Sequence, residues 1–220
     1  MSLTVVITNY LRAANVTRLI DAIRAQTLEA TIFVWDNSPA QAFDNPRVDW
    51  LIRSSRNAQC AARWWMASHA QTDFVLVHDD DLMPSNPNVL AWTVDVAAHS
   101  APFAVGASGV VLNRDLGYWR SSHVGVRAGR IRRDMRVDIV KGMYFCCPAV
   151  QLAGVGHLDL DGEDDIEVSA KLGGGQPRPH VVLAKLQSNF TLLSEEGARS
   201  YRSSHRSARE LALQRFFSRT

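Results

Sequence analysis

FVLVHDDDLMP, residues 74–84, is the stretch on which the fold turns. A short apolar run, partly β-branched, passes without a spacer into three carboxylates, Asp79, Asp80 and Asp81. Three adjacent ionised side chains repel one another, and each must be solvated, paired or bound to a cation. An arbitrary acidic triplet is most often a solvated turn. Position argues otherwise here: a four-residue strand ending in carboxylates sets them at the edge of a sheet where α/β folds bind ligands. Hard oxygen donors at that edge suit Mg²⁺ or Mn²⁺, ions that usually carry phosphate.

Upstream of this strand the pattern alternates. Leu3 to Thr8 is β-branched and apolar, the signature of a buried strand, and Val16, Leu19, Ile20 and Ile23 recur at helical spacing within Asn15 to Ala25. Thr31 to Trp35 reads as a second strand closed by the turn-like Asp36-Asn37-Ser38-Pro39, and Val48 to Ile52 as a third. A helix from a cap at Asn57 to about Ala70 then leads into the fourth strand. Strands alternating with helices predict a mostly parallel sheet covered on both faces, with Asp36 and Asp79 to Asp81 at the carboxyl ends of its strands. Downstream, Asn86 to His99 reads as helix and Phe103 to Val111 as strand, while Asn113 to Arg136 is Arg- and Gly-rich without a period and predicts loops or irregular strands. Asp164 to Leu172 opens a further helix on acidic residues, Gly173 to Gly175 ends it, and a strand near His180 and a helix from about Ala208 close the chain.

Composition narrows the function classes. The 220 residues, 46% of them hydrophobic, suffice for one sizeable core and predict a single domain. A formal charge of +2, from 24 basic and 22 acidic residues, gives no global field for nucleic acid, so an anionic partner must be held locally. The three cysteines make neither a disulfide framework nor a metal-finger spacing, and a reducing cytoplasm is expected. No apolar run is long enough to span a membrane, which leaves peripheral association open. Phosphate chemistry could still belong to a haloacid-dehalogenase-type phosphatase, but its Asp-x-Asp belongs on a first strand and is followed by a Thr or Val where Met83 stands. Sugar-phosphate nucleotidyltransferases and nicotinamide-binding folds carry glycine-rich phosphate loops; Thr8-Asn9-Tyr10-Leu11-Arg12 occupies that place.

The set VVITNYLRAANVTRLIDAIRAQT, IFVWDNS and RNAQCAARWWMASHAQTDFVLVHDDDLMP resembles the amino-terminal half of GT-A glycosyltransferases, particularly family 2. GEDDIEVSAKLGGG, residues 162–175, is similar to that family's Glu-Asp sequence at a helix start. The resemblance implies a GT-A fold, with residues 1–100 binding a nucleotide-sugar and 101–220 forming the acceptor half with a carboxyl-terminal lid. It implies a donor site of Thr8, Tyr10, Arg12, Asp36, Asn57, Asp79, Asp80 and Arg202, with Asp36 meeting the base, as a uracil N–H would require. It implies Mn²⁺ or Mg²⁺ on Asp81 and Asp79, with His205 of the basic run Arg199 to Arg206 as a further ligand. Asp165, with Asp164 beside it, takes the place of the catalytic base, although acids at a helix start also stabilise the helix itself by about 0.3–1 kcal/mol each. Tyr118 and Trp119 could stack on an acceptor sugar, and Gly142-Met143 resembles the acceptor-pocket loop. The expected activity is metal-dependent sugar transfer from a nucleotide diphosphate, UDP foremost, to a saccharide or other hydroxyl acceptor with inversion. A retaining exostosin-like transferase and a silent nucleotide-binding GT-A domain are the alternatives. His69, His78 and His180, with Trp64 and Trp65, are expected to be structural.

Overall fold

The computed structural model describes residues 1–38, 43–153, 163–194 and 203–217. The first half follows the expected alternation: β1 (Leu3–Asn9), α1 (Ala13–Arg24), β2 (Thr31–Asp36), β3 (Trp50–Arg53), α2 (Ala61–Ala67), β4 (Phe74–His78), β5 (Leu82–Pro84) and α3 (Val89–Ser100). The second half is built of short pieces: β6 (Val105–Gly106), β7 (Ser108–Val111), β8 (Ser122–Gly125), β9 (Met135–Val137), β10 (Ile139–Val140) and β11 (Tyr144–Pro148), then α4 (Asp164–Gly173), β12 (His180–Val182), β13 (Phe190–Leu192) and α5 (Ser203–Phe217). Two 3₁₀ turns, at Ala149–Leu152 and Ala184–Ser188, complete it.

The main sheet has the order β3-β2-β1-β4-β11-β6-β12-β9. The first four strands are mutually parallel, β11 runs against both β4 and β6, β12 parallels β6, and β9 runs against β12. Register brings the strand ends level: Asn9 pairs Asp36, and Ile7 pairs His78. Everything that follows β1, β2 and β4 therefore emerges at one edge.

Strands that are apolar at every position are explained by two covered faces. Leu3, Val5 and Ile7 pack with α1 and α3 in one core cluster, which includes Leu19, Ile20, Leu90 and Val94. Val6, Val75 and Val77 pack on the opposite face with Trp64 and Met66 of α2 and Val168 and Leu172 of α4. Ile166, Tyr118 and Leu213 form a smaller cluster that seats α5 against α4.

Four elements depart from the sequence reading. Phe103 to Val111 is two strands, because the chain leaves the main sheet at Ala107 and enters a three-stranded sheet, β10-β7-β8. The YFCC run is a central strand, β11, which fills the gap between β4 and β6. Asn57 does not cap α2: Cys60 holds the cap position without a side-chain bond, and Asn57 Oδ1 accepts from the Gln59 amide at 2.8 Å in a turn of its own. Finally, α5 begins at Ser203, so that His205 lies inside the helix. Among the described residues, no helix is long and apolar enough to cross a membrane.

Candidate active site

The edge where β1 and β4 end opens on a cavity of about 400 Å³. Residues from both halves of the chain line it: Thr8, Tyr10 and Arg12, the aspartate triplet, Asn57, Gly142, Asp164, Asp165 and His205. Every expected site residue is therefore at the cavity except Asp36, which lies elsewhere, and Arg202, which lies outside the described residues.

The repulsion within the aspartate triplet is relieved by arginines. Arg12 places Nη2 at 2.8 Å from Asp80 Oδ1 and Nη1 at 3.3 Å from Asp81 Oδ2. Arg127 reaches the same Asp81 oxygen at 3.3 Å and donates to the Asp81 carbonyl at 3.2 Å. Arg63 Nη1 contacts Asp79 Oδ1 at 2.5 Å. Burial pushes the Asp80 carboxyl up to about 8, against the pull of Arg12. His78 turns its Nδ1 to the Asp79 carbonyl at 2.8 Å, and burial lowers its pKa to about 4, a neutral structural histidine.

Asp164 and Asp165 are adjacent in sequence but differ in surroundings. Asp164 Oδ2 accepts from Arg63 Nε at 2.9 Å, from Arg63 Nη2 at 2.7 Å and from the indole of Trp64. Three donors converge on this one nearly inaccessible carboxylate oxygen and tie α4 to α2. Asp165 faces the cavity. It accepts from Arg209 Nη2 at 2.9 Å and from the Gly142 amide at 3.3 Å, and its Oδ1 accepts from the Ile166 amide at 3.0 Å. Burial pushes its pKa up, but Arg209, together with Arg63 and the Gly142 amide, outweighs burial and holds it below the usual carboxylate value.

Asp36, to which the resemblance gives the base contact, closes β2 and is not among the residues that line the cavity. Its Oδ1 accepts from Asn9 Nδ2 at 2.8 Å and from the Ser38 amide at 3.0 Å, its Oδ2 from the Phe43 amide at 2.9 Å, and the residue is only 1% exposed. It anchors the turn after β2. His205 stands with Glu163, Nδ1 to Oε1 at 3.4 Å, and among the described residues no three His, Cys, Asp or Glu side chains form a metal-binding group. His205 lines the same cavity as Asp79 and Asp81. The carboxylates themselves fit a cation that also takes substrate oxygens: Asp81 Oδ1 and Asp80 Oδ2 are buried with no hydrogen-bond donor, and magnesium-type sites are commonly one or two carboxylates plus phosphate.

Sequence reasoning missed Arg63, Arg127, Arg209 and Lys141. Arg63 had a signal: it is the one charged residue in the apolar helix AARWWMA, where a cation can persist only if paired. Arg209 lies four residues after His205, on the same helical face. Arg127 had none, since its place depends on a loop. Among the described residues, three of the four non-glycine residues with positive φ flank or line this cavity, Leu11 at 62°, Gln59 at 57° and Arg127 at 60°, which marks strain held at a site. Trp119 stands at the mouth, 38% exposed, while Tyr118 is buried beneath the Arg209 guanidinium, 4.4 Å from its ring centre. Glu210 accepts from both of their amides, at 2.9 and 3.2 Å, and ties this loop to α5.

The pairing of Arg63 with Asp164 carries a prediction. Arg63→Met strands a buried carboxylate and is expected to lower unfolding free energy by about 3–5 kcal/mol in chemical denaturation, whereas an exposed pair such as Arg47–Asp21 should cost under about 1 kcal/mol.

The family model for glycosyl transferase family 2 matches residues 4–152. This chain belongs to glycosyl transferase family 2. The match ends before α4, so Asp165 and Arg209 lie beyond it. None of the curated proteins matches the sequence. Among solved structures, the mannosyltransferase PcManGT from Pyrobaculum calidifontis, in complex with GDP-Man and Mn²⁺, superposes with a TM-score of 0.65 at 17% identity, covering 98% of this chain and 63% of that one. TarS 1-349 from S. aureus gives 0.62 at 15% identity, over 89% of this chain and 61% of that one. These likenesses confirm the GT-A architecture of this family 2 chain, which spans about three fifths of the length of either structure.

Proposed function

We propose that this family 2 domain transfers a sugar from a nucleoside diphosphate to an acceptor hydroxyl, inverting the anomeric centre. One observation carries the reading: a single cavity brings the Asp79–Asp81 edge, ringed by Arg12, Arg63 and Arg127, together with the ionised carboxylate of Asp165 from the other half of the chain. Anions are held on one side, and a proton acceptor waits on the other.

In this mechanism Thr8, Tyr10, Arg12 and Asn57 line the donor side and orient the nucleotide. A divalent cation on Asp81 and Asp79 would supply Lewis-acid stabilisation of the leaving diphosphate, as manganese or magnesium can. Arg12 and Arg127, both resting on Asp81, place positive charge at the same edge. Asp165 accepts the proton of the acceptor hydroxyl as that oxygen bonds the anomeric carbon and the carbon–diphosphate bond breaks. The resemblance puts UDP-sugars first among donors, while Asp36 is held by Asn9 and by the Ser38 and Phe43 amides. The mannosyltransferase of like fold holds GDP-mannose, so UDP- and GDP-sugars form the first pair to test. Thermal unfolding with each, with and without Mn²⁺, should reveal the donor, because a ligand at a hundred times its dissociation constant adds about 2.7 kcal/mol. No shift with any nucleotide under any metal would refute this function. Proton NMR of the product's anomeric centre decides between inversion and retention.

Arg209 sets the operating range of Asp165. Arg209→Met removes the largest influence opposing burial and leaves Arg63, Lys141 and the Gly142 amide, so the carboxyl pKa rises and the acid limb of the kcat/KM profile moves to higher pH. Arg209→Lys keeps the charge beside Asp165, Tyr118 and Lys141 and should move that limb less. An acid limb unmoved by Arg209→Met would remove Asp165 from the role of base.

A further inference from the structure

Beside the cavity lies a second, larger groove of about 1430 Å³, and Arg127 lines both. Its wall is strongly basic: Arg127, Arg130, Arg132, Arg133 and Lys185 face it, against one carboxylate, Asp134. A chain whose formal charge is only +2 has gathered these cations at one place. One carboxylate cannot offset five cations, and Asp134 is oriented by the Ala184 amide, which donates to its Oδ1 at 2.9 Å. Arg130, Arg132 and Arg133 are solvent-accessible and form no ion pair among the described residues. The loop that bears them is pinned: the Ile131 amide donates to Gln187 Oε1 at 3.1 Å, and Gln187 Nε2 donates to the Ile131 carbonyl at 3.2 Å. Reciprocal bonds of this kind fix the loop before a ligand arrives and lower the cost of binding.

We propose that this groove receives a phosphate-bearing acceptor, its phosphates lying along Arg130, Arg132 and Arg133 while its hydroxyl enters the cavity past Arg127. The assignment rests on the transferase reading above. Guanidinium groups match phosphate oxygens in pairs, which explains the choice of arginine at four of the five basic positions. Concavity favours an elongated ligand over a flat lipid surface. The groove's aromatic ring, Phe190, packs on Tyr144 at 5.0 Å and on His78 at 6.2 Å, so it offers no free platform for stacked bases, which single-stranded nucleic acid would use. When the acceptor is seated, its hydroxyl proton passes to Asp165, its oxygen bonds the anomeric carbon, and the nucleoside diphosphate leaves.

The test is calorimetric titration of a short inorganic polyphosphate into the full chain, with the donor site filled by whichever nucleoside diphosphate shifts its melting. One-site binding is expected, weakened about tenfold or more by Arg130→Ser/Arg132→Ser/Arg133→Ser, while the nucleotide-induced shift stays intact. A control that removes equal charge elsewhere, Arg18→Ser/Arg47→Ser/Arg178→Asn, should change the affinity less than about twofold. Equal losses in both triples, or none in the first, would overturn the groove. Binding confined to phosphatidylglycerol vesicles or to oligo-dT would overturn it too. Absence of any nucleotide shift, with polyphosphate binding still lost in the first triple, would sink the transferase reading and leave the phosphate site standing.

Discussion

Asp165→Asn is expected to lower kcat by about 10²- to 10⁴-fold, the range that a positioned general base contributes. The substitution preserves the shape of the side chain, but its single carbonyl oxygen can keep only one of the contacts to the Gly142 and Ile166 amides, and the amide cannot take a proton from an acceptor hydroxyl. The thermal shift given by donor nucleotide should survive, because Asp165 faces the acceptor side and its loss leaves Arg12, Arg63 and Arg127 in place. Asp164→Asn is the informative comparison. Asp164 is held by Arg63 and the Trp64 indole, so its replacement should appear first as lost stability and only then as lost rate. If Asp165→Asn turned over like the parent while Asp164→Asn did not, the two adjacent acids would have to exchange roles.

The second large effect concerns Asp81. Asp81→Ala is expected to abolish the additional stabilisation that Mn²⁺ gives to the nucleotide complex, up to about 2.7 kcal/mol at a hundred times the dissociation constant. The nucleotide should still bind without metal, and more tightly than to the parent. The reason lies in the salt bridges: Arg12 and Arg127 both rest on Asp81 Oδ2 at 3.3 Å, and without that carboxylate their charge is available to the diphosphate. Sugar transfer should fall with the metal response even as metal-free binding improves. Undiminished transfer by Asp81→Ala, with Mn²⁺ still stabilising the complex, would show that the cation is held elsewhere.

These experiments rest on residues of unequal visibility in the sequence. Asp79 to Asp81 could be found by eye because a strand and a charge cluster are both local patterns, and the sheet edge follows from strand-helix alternation. Asp165 could be found because an acidic helix start is local as well. Asp36 stands at the end of β2 as expected, but its partners, the amides of Ser38 and Phe43 and the Asn9 side chain, are contacts that the sequence did not reveal. His205 is a second case, since the start of α5 moved five residues upstream of the expected one and placed it with Glu163.

By itself the sequence determined the doubly covered sheet, its first four strands and the acids that each half delivers, because alternation of apolar runs and helical spacing is written residue by residue. Only the tertiary structure decided which acid is braced and which is available, since that depends on Arg63 reaching 101 positions along the chain to Asp164 and Arg209 reaching back 44 to Asp165. Pairing of buried charge is a contact between distant segments, fixed by packing, and no local pattern encodes it.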